Sequence, residues 1–302
     1  MNNEELQFSN QYNIQWFPGH MARTLRVMEQ EIQHVDASLI LLDARIPLSS
    51  LNPEVERITA RKPRLYALNK ADLADPAVTE EWIRYFRAAD AGCVAINAKS
   101  KGGTAAVRAA IEKELSGLLA RRQARGMSGA KTQIMLCGIP NVGKSTFINK
   151  VAKRKSAKAS DRPGVTRGKQ WVTMDRGLEL LDTPGILWPK FEDAQTGLHL
   201  AFTGAVKDEI MDVETLGCHL MAFLGERYPA ALQAYKLTEV PAREDGEETV
   251  AYGYRLLELA AGKRGMRISG GEFYTERMAR VLLDEFRGGK LGKFTLELPG
   301  ED

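Results

Sequence analysis

Cysteine is scarce in this 302-residue chain. Cys93, Cys137 and Cys218 form no Cys-x-x-Cys pair and keep no histidine pattern beside them, which excludes a disulfide framework and a zinc site. They read as reduced, buried thiols. A long apolar run is missing too: nothing approaches the roughly 20 residues of a membrane span, so no span is expected. The opening MNNEELQFSNQYN carries acids and no arginine, unlike a leader or transit segment, and a cytoplasmic monomer is the expectation. Charge of one sign is also lacking. Lys and Arg number 42 against 39 Asp and Glu, a net +3 that permits a polyanionic partner without requiring one. There is no internal repeat, and with 44% apolar and 27% charged residues no global disorder is expected. The length suits one large domain with a smaller one attached.

What is present begins as short apolar runs bounded by polar residues: SLILLD (38–43), RLYALN (64–69), CVAIN (93–97) and QIMLCG (133–138). Runs of this kind suit strands buried on both faces of a parallel sheet covered by helices. WVTM (171–174) and LELLD (178–182) add two more around an Arg176-Gly177 turn. Between them TAAVRAAIEKELSGLLARRQ (104–123) has helical spacing at Val107, Ile111, Leu115 and Leu118 and runs into the flexible ARGMSGA. Past residue 205 the patterns are helical, interrupted by the acidic REDGEE (243–248).

Asn69-Lys70-Ala71-Asp72 is a guanine reader without a phosphate loop in front of it. Asp72 accepts from the N1–H and 2-amino groups, two donors adenine lacks, and an unpaired buried carboxylate makes rejection of adenine steep. Asn69 braces the loop and the Lys70 stem lies over the ring. Asn97-Ala98-Lys99 fits a second base loop whose backbone N–H groups meet guanine O6. The phosphate loop comes later, as Gly138-Ile139-Pro140-Asn141-Val142-Gly143-Lys144-Ser145 between a strand and a helix. Gly138 and Gly143 let the backbone curl, with Val142 and Thr146 among the nucleotide-binding positions. Lys144 reaches the β and γ oxygens, and Ser145 holds Mg²⁺. Asp182 of Asp182-Thr183-Pro184-Gly185 is the second metal-side group, through water, and Gly185 meets the γ-phosphate by its N–H. Thr166 in RPGVTRG is the candidate that closes over Mg²⁺ and the γ-phosphate.

The motif order is base, base, phosphate, switch, switch. That is a circular permutation, tolerable because ligands bind at the carboxyl ends of parallel strands in whatever order the chain visits them. Residues 100–131 would be the joining connection. The expected architecture is an α/β phosphate-loop GTPase fold with a parallel-rich sheet, circularly permuted, plus an all-α C-terminal domain. Its divisions fall at 1–30, 31–204 and 205–302.

WFPGHM (16–21), NKAD, GIPNVGKST, PGVT, DTPGILWPK (182–190) and TGAVKDEI (203–210) together resemble the circularly permuted GTPases of the ribosome biogenesis GTPase A type over most of the chain. The resemblance implies a GTPase that binds the maturing large ribosomal subunit, is stimulated by it, and carries a helical domain similar to RNA-binding modules. It also makes His20 a proposed catalytic histidine, whose near-neutral pKa suits water activation. The alternative is that Trp16, Phe17 and Pro18 clip an N-terminal arm onto the domain and His20 anchors it or contacts RNA. Asn141 matches an asparagine that coordinates K⁺ in related GTPases. Two departures stand out: Asn97 where serine is commoner, and Arg23 where lysine is frequent. Ile186 follows Gly185 where many GTPases place a water-orienting glutamine, so slow unassisted hydrolysis is expected.

Lys150, Lys153, Arg154, Lys155, Lys158, Arg162, Arg167 and Lys169 face one acid, Asp161, across the first switch region, a pattern suited to RNA phosphates. In 270–290, Tyr274, Met278, Leu282 and Phe286 form an expected apolar face, with Arg277, Arg280 and Arg287 elsewhere as RNA contacts. The rival function is an RNA-binding module holding GTP only as a structural ligand. Intact Lys144, Ser145, Thr166 and Asp182 argue against it.

Overall fold

The computed structural model describes residues 19–100, 102–127, 129–156, 170–175, 177–188, 191, 193–208 and 212–300, with the side chains of 19, 20, 153–156 and 175 outside that description. Two compact units form: one from the described residues of 15–190 together with 294–300, the other from those of 191–293. The division therefore falls near 190 rather than 204, and the last residues rejoin the first unit.

The first unit is built on a six-stranded sheet of β1 (Ala37–Asp43), β2 (Arg64–Asn69), β3 (Gly92–Ala95), β4 (Thr132–Gly138), β5 (Gln170–Asp175) and β6 (Leu178–Asp182). Their order is β3-β2-β1-β4-β6-β5. All neighbours are parallel except β5 against β6, the hairpin at the edge. All seven residues of β1 are buried, as a central strand covered on both faces demands. Burying each of Leu39, Leu41 and Leu42 there contributes about 1.5–3 kcal/mol relative to exposure. The permutation is visible in this order. The chain lays down β1, β2 and β3 outward in one direction, then returns to place β4 on the other side of β1.

Helices α1 (Gly19–Glu31), α2 (Pro53–Thr59), α3 (Pro76–Ala88), α4 (Gly103–Glu114), α5 (Ser116–Ala124) and α6 (Lys144–Ser156) fill the connections. Asn52 and Asp75 cap α2 and α3 with a proline at the first helical turn, the arrangement that satisfies orphan N–H groups and presets φ. The helix expected over 104–123 is broken at Leu115, whose φ of −94° and ψ of 11° leave the helical basin. The second piece is held by charge rather than burial: Arg122 pairs with Asp36 at 2.6 Å, and Asp36 also accepts Gln133 N–H at 2.9 Å beside the start of β4. The permuting connection is thereby pinned to the strand it delivers.

The second unit contains α7 (Ala194–Phe202), α8 (Val213–Arg227), α9 (Thr249–Lys263) and α10 (Thr275–Arg287). Gly253 lets α9 cross against the Cys218 carbonyl of α8, where any Cβ would collide with backbone. Helix α10 buries Met278, Ala279, Leu282, Leu283 and Phe286. Tyr274 precedes the helix and is 38% exposed, so it lies off the apolar face expected for it. Arg287 is likewise not a free RNA contact: it grips Asp208 at 2.7 and 2.8 Å and donates to the carbonyls of Ala201 and Phe202 at 2.8 and 3.0 Å. Those bonds close the C-terminus of α7, where a guanidinium suits orphan carbonyls and the helix dipole. Cys93, Cys137 and Cys218 are free and buried, and burial pushes each thiol up to about 12.

Candidate functional site

Asn69, at the end of β2 and 2% exposed, is the hub of the site. Its Nδ2 donates to Val142 O of the phosphate loop at 2.7 Å, and its Oδ1 accepts the Ala98 N–H of the second base loop at 2.9 Å. One carboxamide joins three motifs, its partners lying 73 and 29 residues away in sequence. Losing it would orphan groups on both sides.

Lys70 has a left-handed backbone with φ of 60°, uncommon for a side chain of its size. Its ammonium lies 2.9 Å from Asp43 Oδ2. Asp43, at the end of β1 and 1% exposed, also holds Arg45 through Nε at 2.9 Å and Nη2 at 2.8 Å. Burial pushes the Asp43 carboxyl up, but the charges of Arg45 and Lys70 together outweigh it and hold the group well below its ordinary 3.8. Asp43→Ala would strand the buried Arg45 charge, and the expected loss in urea unfolding is about 3–5 kcal/mol. The folded pKa is depressed, so the pair's contribution is complete above the ordinary 3.8 and is lost as pH falls below it. A loss near zero would mean that solvent screens the pair.

Asp72 is exposed at the loop's tip. Ala98 N–H is held by Asn69 and Lys99 N–H by Asn97 Oδ1 at 2.8 Å, so both expected O6 donors have acceptors within the protein. Lys150, counted with the basic run, instead donates from helix α6 to Lys99 O at 3.0 Å and braces this loop.

The phosphate loop curls as its residue types require, with positive φ at Gly138 (149°), Asn141 (55°) and Gly143 (105°). Lys144 is 7% exposed and its Nζ donates to Gly138 O at 2.7 Å and Ile139 O at 2.8 Å, bridging the start of the loop. Burial lowers its amine to about 8, with the nearby Cys137 and Asp182 opposing that shift. Asp182 is raised by burial against the pull of Lys144. Gly185 sits where an added Cβ would lie 2.9 Å from Lys144 Nζ and from the Pro140 backbone, so only glycine brings the second switch this close to the phosphate loop. Thr183 anchors the same segment through Oγ1 to Leu136 O at 2.6 Å.

Together Pro140, Asn141, Gly143, Lys144, Ser145, Thr146 and the stretch 182–185 line a cleft of 410 Å³. It is polar, opens at the N-terminus of α6, and carries the fixed positive potential that suits phosphates. Ser145 and Asp182 offer hard oxygen donors on this one cleft, a set that fits Mg²⁺. Ile186 is 1% exposed, and its carbonyl accepts from Asn52 Nδ2 at 3.1 Å. Asn52 both caps α2 and clamps Ile186, a partner 134 residues away in sequence.

Thr166 and Lys158 lie outside the described residues, as do the side chains of His20, Lys153, Arg154 and Lys155. His20 falls in α1, and Lys153, Arg154 and Lys155 in α6, by backbone. Arg277 and Arg280 are exposed on α10, and Arg280 pairs with Glu276 at 2.7 Å in a solvent-screened contact that adds little to stability.

A family model described as "50S ribosome-binding GTPase" matches residues 133–227. "Ribosome biogenesis GTPase A" of Bacillus cereus is 43% identical over 289 residues, spanning 95% of each chain. The protein of the same name from Bacillus pumilus is 42% identical over 287 residues, 95% of this chain and 99% of that one. Among solved structures, GNP-bound YlqF from T. maritima superposes with a TM-score of 0.61 at 24% identity, covering 92% of this chain and 98% of that one. At that identity the likeness speaks for a shared fold.

Proposed function

This chain belongs to the ribosome biogenesis GTPase A family, and from that premise we propose that it is a GTP-hydrolysing assembly factor for the large ribosomal subunit. GTP favours the subunit-bound form, contact with the subunit speeds hydrolysis, and hydrolysis releases the protein. The observation that carries this reading is the single cleft on which the Lys144 loop and the 182–185 switch converge, tied by Asn69 to the base loops.

In this reading Asp72 selects guanine and the Lys70 stem covers the base. The N–H groups of the phosphate loop and the Lys144 ammonium hold the β and γ oxygens, and Gly185 N–H meets the γ-phosphate. Mg²⁺, when bound with the nucleotide, neutralises charge on those oxygens, and Ser145 and Asp182 would hold it. Thr166 is the switch threonine. Asn141, at the cleft rim with its left-handed backbone, is the K⁺ ligand. KCl should then support faster turnover than NaCl, and equal rates would remove Asn141 from that role. The buried Ile186 does not supply water-orienting chemistry, so activation comes from His20 or from the subunit. Loss of subunit-stimulated turnover in His20→Ala with GDP affinity intact assigns that role to His20, and unchanged stimulation assigns it to the subunit.

Lys153, Arg154, Lys155, Lys158, Arg277 and Arg280 are the proposed RNA contacts. The test is sedimentation with purified large subunits in the presence of a non-hydrolysable GTP analogue or of GDP, across a salt series. Binding that needs the analogue and falls steeply with salt supports the reading. Equal sedimentation with GDP and with the analogue would favour a module that holds nucleotide only as a structural ligand.

A further inference from the structure

The stretch 294–300 follows the helical unit in sequence yet belongs to the nucleotide unit. Phe294, Thr295 and Leu296 are buried there. Phe294 N–H donates to Leu73 O at 3.0 Å, and Thr295 Oγ1 accepts the Asp75 N–H at 3.1 Å. Across from them, Leu296 N–H donates to Arg45 O at 2.8 Å, while the Glu297 carboxylate accepts Leu48 N–H at 2.7 Å and Ser49 N–H at 2.9 Å. Glu297 O also accepts the indole N–H of Trp82 at 3.1 Å. One of the two loops gripped in this way carries the base reader, and the other meets it through a shared carboxylate. Leu73 follows Asp72 directly, and Arg45 shares with Lys70 the carboxylate of Asp43.

We propose that 294–297 is a positioning element of the guanine site, setting the Asp72 loop and the Asp43–Lys70 pair in register with one another. The inference rests on the reading of Asp72 as the guanine reader. Its physical basis is that Asp72 is exposed at a loop tip, where aim depends on the backbone that follows. That backbone is held at Leu73 and Asp75 by the stretch 294–297. A displacement of about 1 Å in a recognition group can weaken its effect on the order of 10²-fold. The charge-assisted bonds of Glu297 to two successive N–H groups hold the opposite loop in the same way.

The experiment uses the full chain and compares GDP with inosine diphosphate, which keeps the N1–H and lacks the 2-amino group. Dissociation constants come from competition against a fluorescent GDP, with urea midpoints measured alongside. Glu297→Gln puts an amide NH₂ against a backbone N–H, and Thr295→Val removes the acceptor for Asp75. Each is expected to weaken GDP about tenfold and inosine diphosphate by less than about threefold, so that the guanine preference shrinks. Equal weakening of both nucleotides, or none, would reduce the stretch to core filling and overturn the proposal. If Glu297→Gln does not fold, Thr295→Val decides alone. Asp72→Asn is the control: an unaltered preference there sinks the reader assignment itself, whereas a changed preference there with unaltered tail variants sinks this inference only.

Discussion

Asp72→Asn is expected to weaken GDP binding about 10²- to 10⁴-fold, because two hydrogen bonds to a charged acceptor are lost, each worth about 1.5–3 kcal/mol. The same change should turn the pocket toward xanthosine diphosphate, whose C2 carbonyl accepts from the new carboxamide. Calorimetric titration with both nucleotides reads the two effects at once. A variant that keeps GDP affinity would show that the base is read elsewhere. The loop leaves little alternative in its architecture, since Asn69 already spends both ends of its side chain on Val142 and Ala98. Lys70 is drawn to Asp43. Asp72, exposed at the tip, is the residue of this tetrad with a carboxylate to offer.

Lys144→Ala should lower GTP turnover by about 10²- to 10³-fold, the usual consequence of deleting one preorganised donor aimed at developing charge. Its effect on the fold runs the other way. Burial lowers the amine to about 8, so holding the charged form in the nucleotide-free protein costs stability at neutral pH. Between about 8 and the ordinary 10.5 the unfolded chain binds the extra proton, and stability rises with pH across that window. The alanine variant should therefore unfold at a urea midpoint no lower than that of the parent at pH 7, while turnover collapses. A coincident loss of stability and activity would instead make Lys144 a structural brace of Gly138 and Ile139.

Those two residues were legible because their chemistry is local. A strand, a curl of glycines and a helix start specify the phosphate loop, and all six strands lie within two residues of the apolar runs that announce them. Apolar runs cannot report a helix break of the kind found at Leu115, where spacing continues while the backbone leaves the helix. Nor does a charge count separate Arg287 from Arg277. Both are arginines of one helix, yet one is consumed by Asp208 and two carbonyls while the other stays exposed. The tail at 294–297 and the Asn52 clamp on Ile186 depend on partners far away in sequence, so periodicity carries no signal for them. Asp43 was the nearest miss. A carboxylate ending a fully buried strand announces a paired charge, but the sequence does not say that Lys70 shares it.

The buried Ile186 and the exposed, solvent-facing Ser145 and Asn141 together describe a cleft equipped to hold and polarise a triphosphate, with the water-orienting glutamine replaced by a core side chain. The partner that completes it is the central claim. The most direct measurement is GTP turnover by the purified full chain at fixed KCl, with and without stoichiometric large ribosomal subunits. The account predicts slow turnover alone and a rise of at least about tenfold with large subunits, absent with small ones, as expected when missing transition-state stabilisation is supplied in trans. Turnover that large subunits leave unchanged, in a protein that binds GTP, would contradict it.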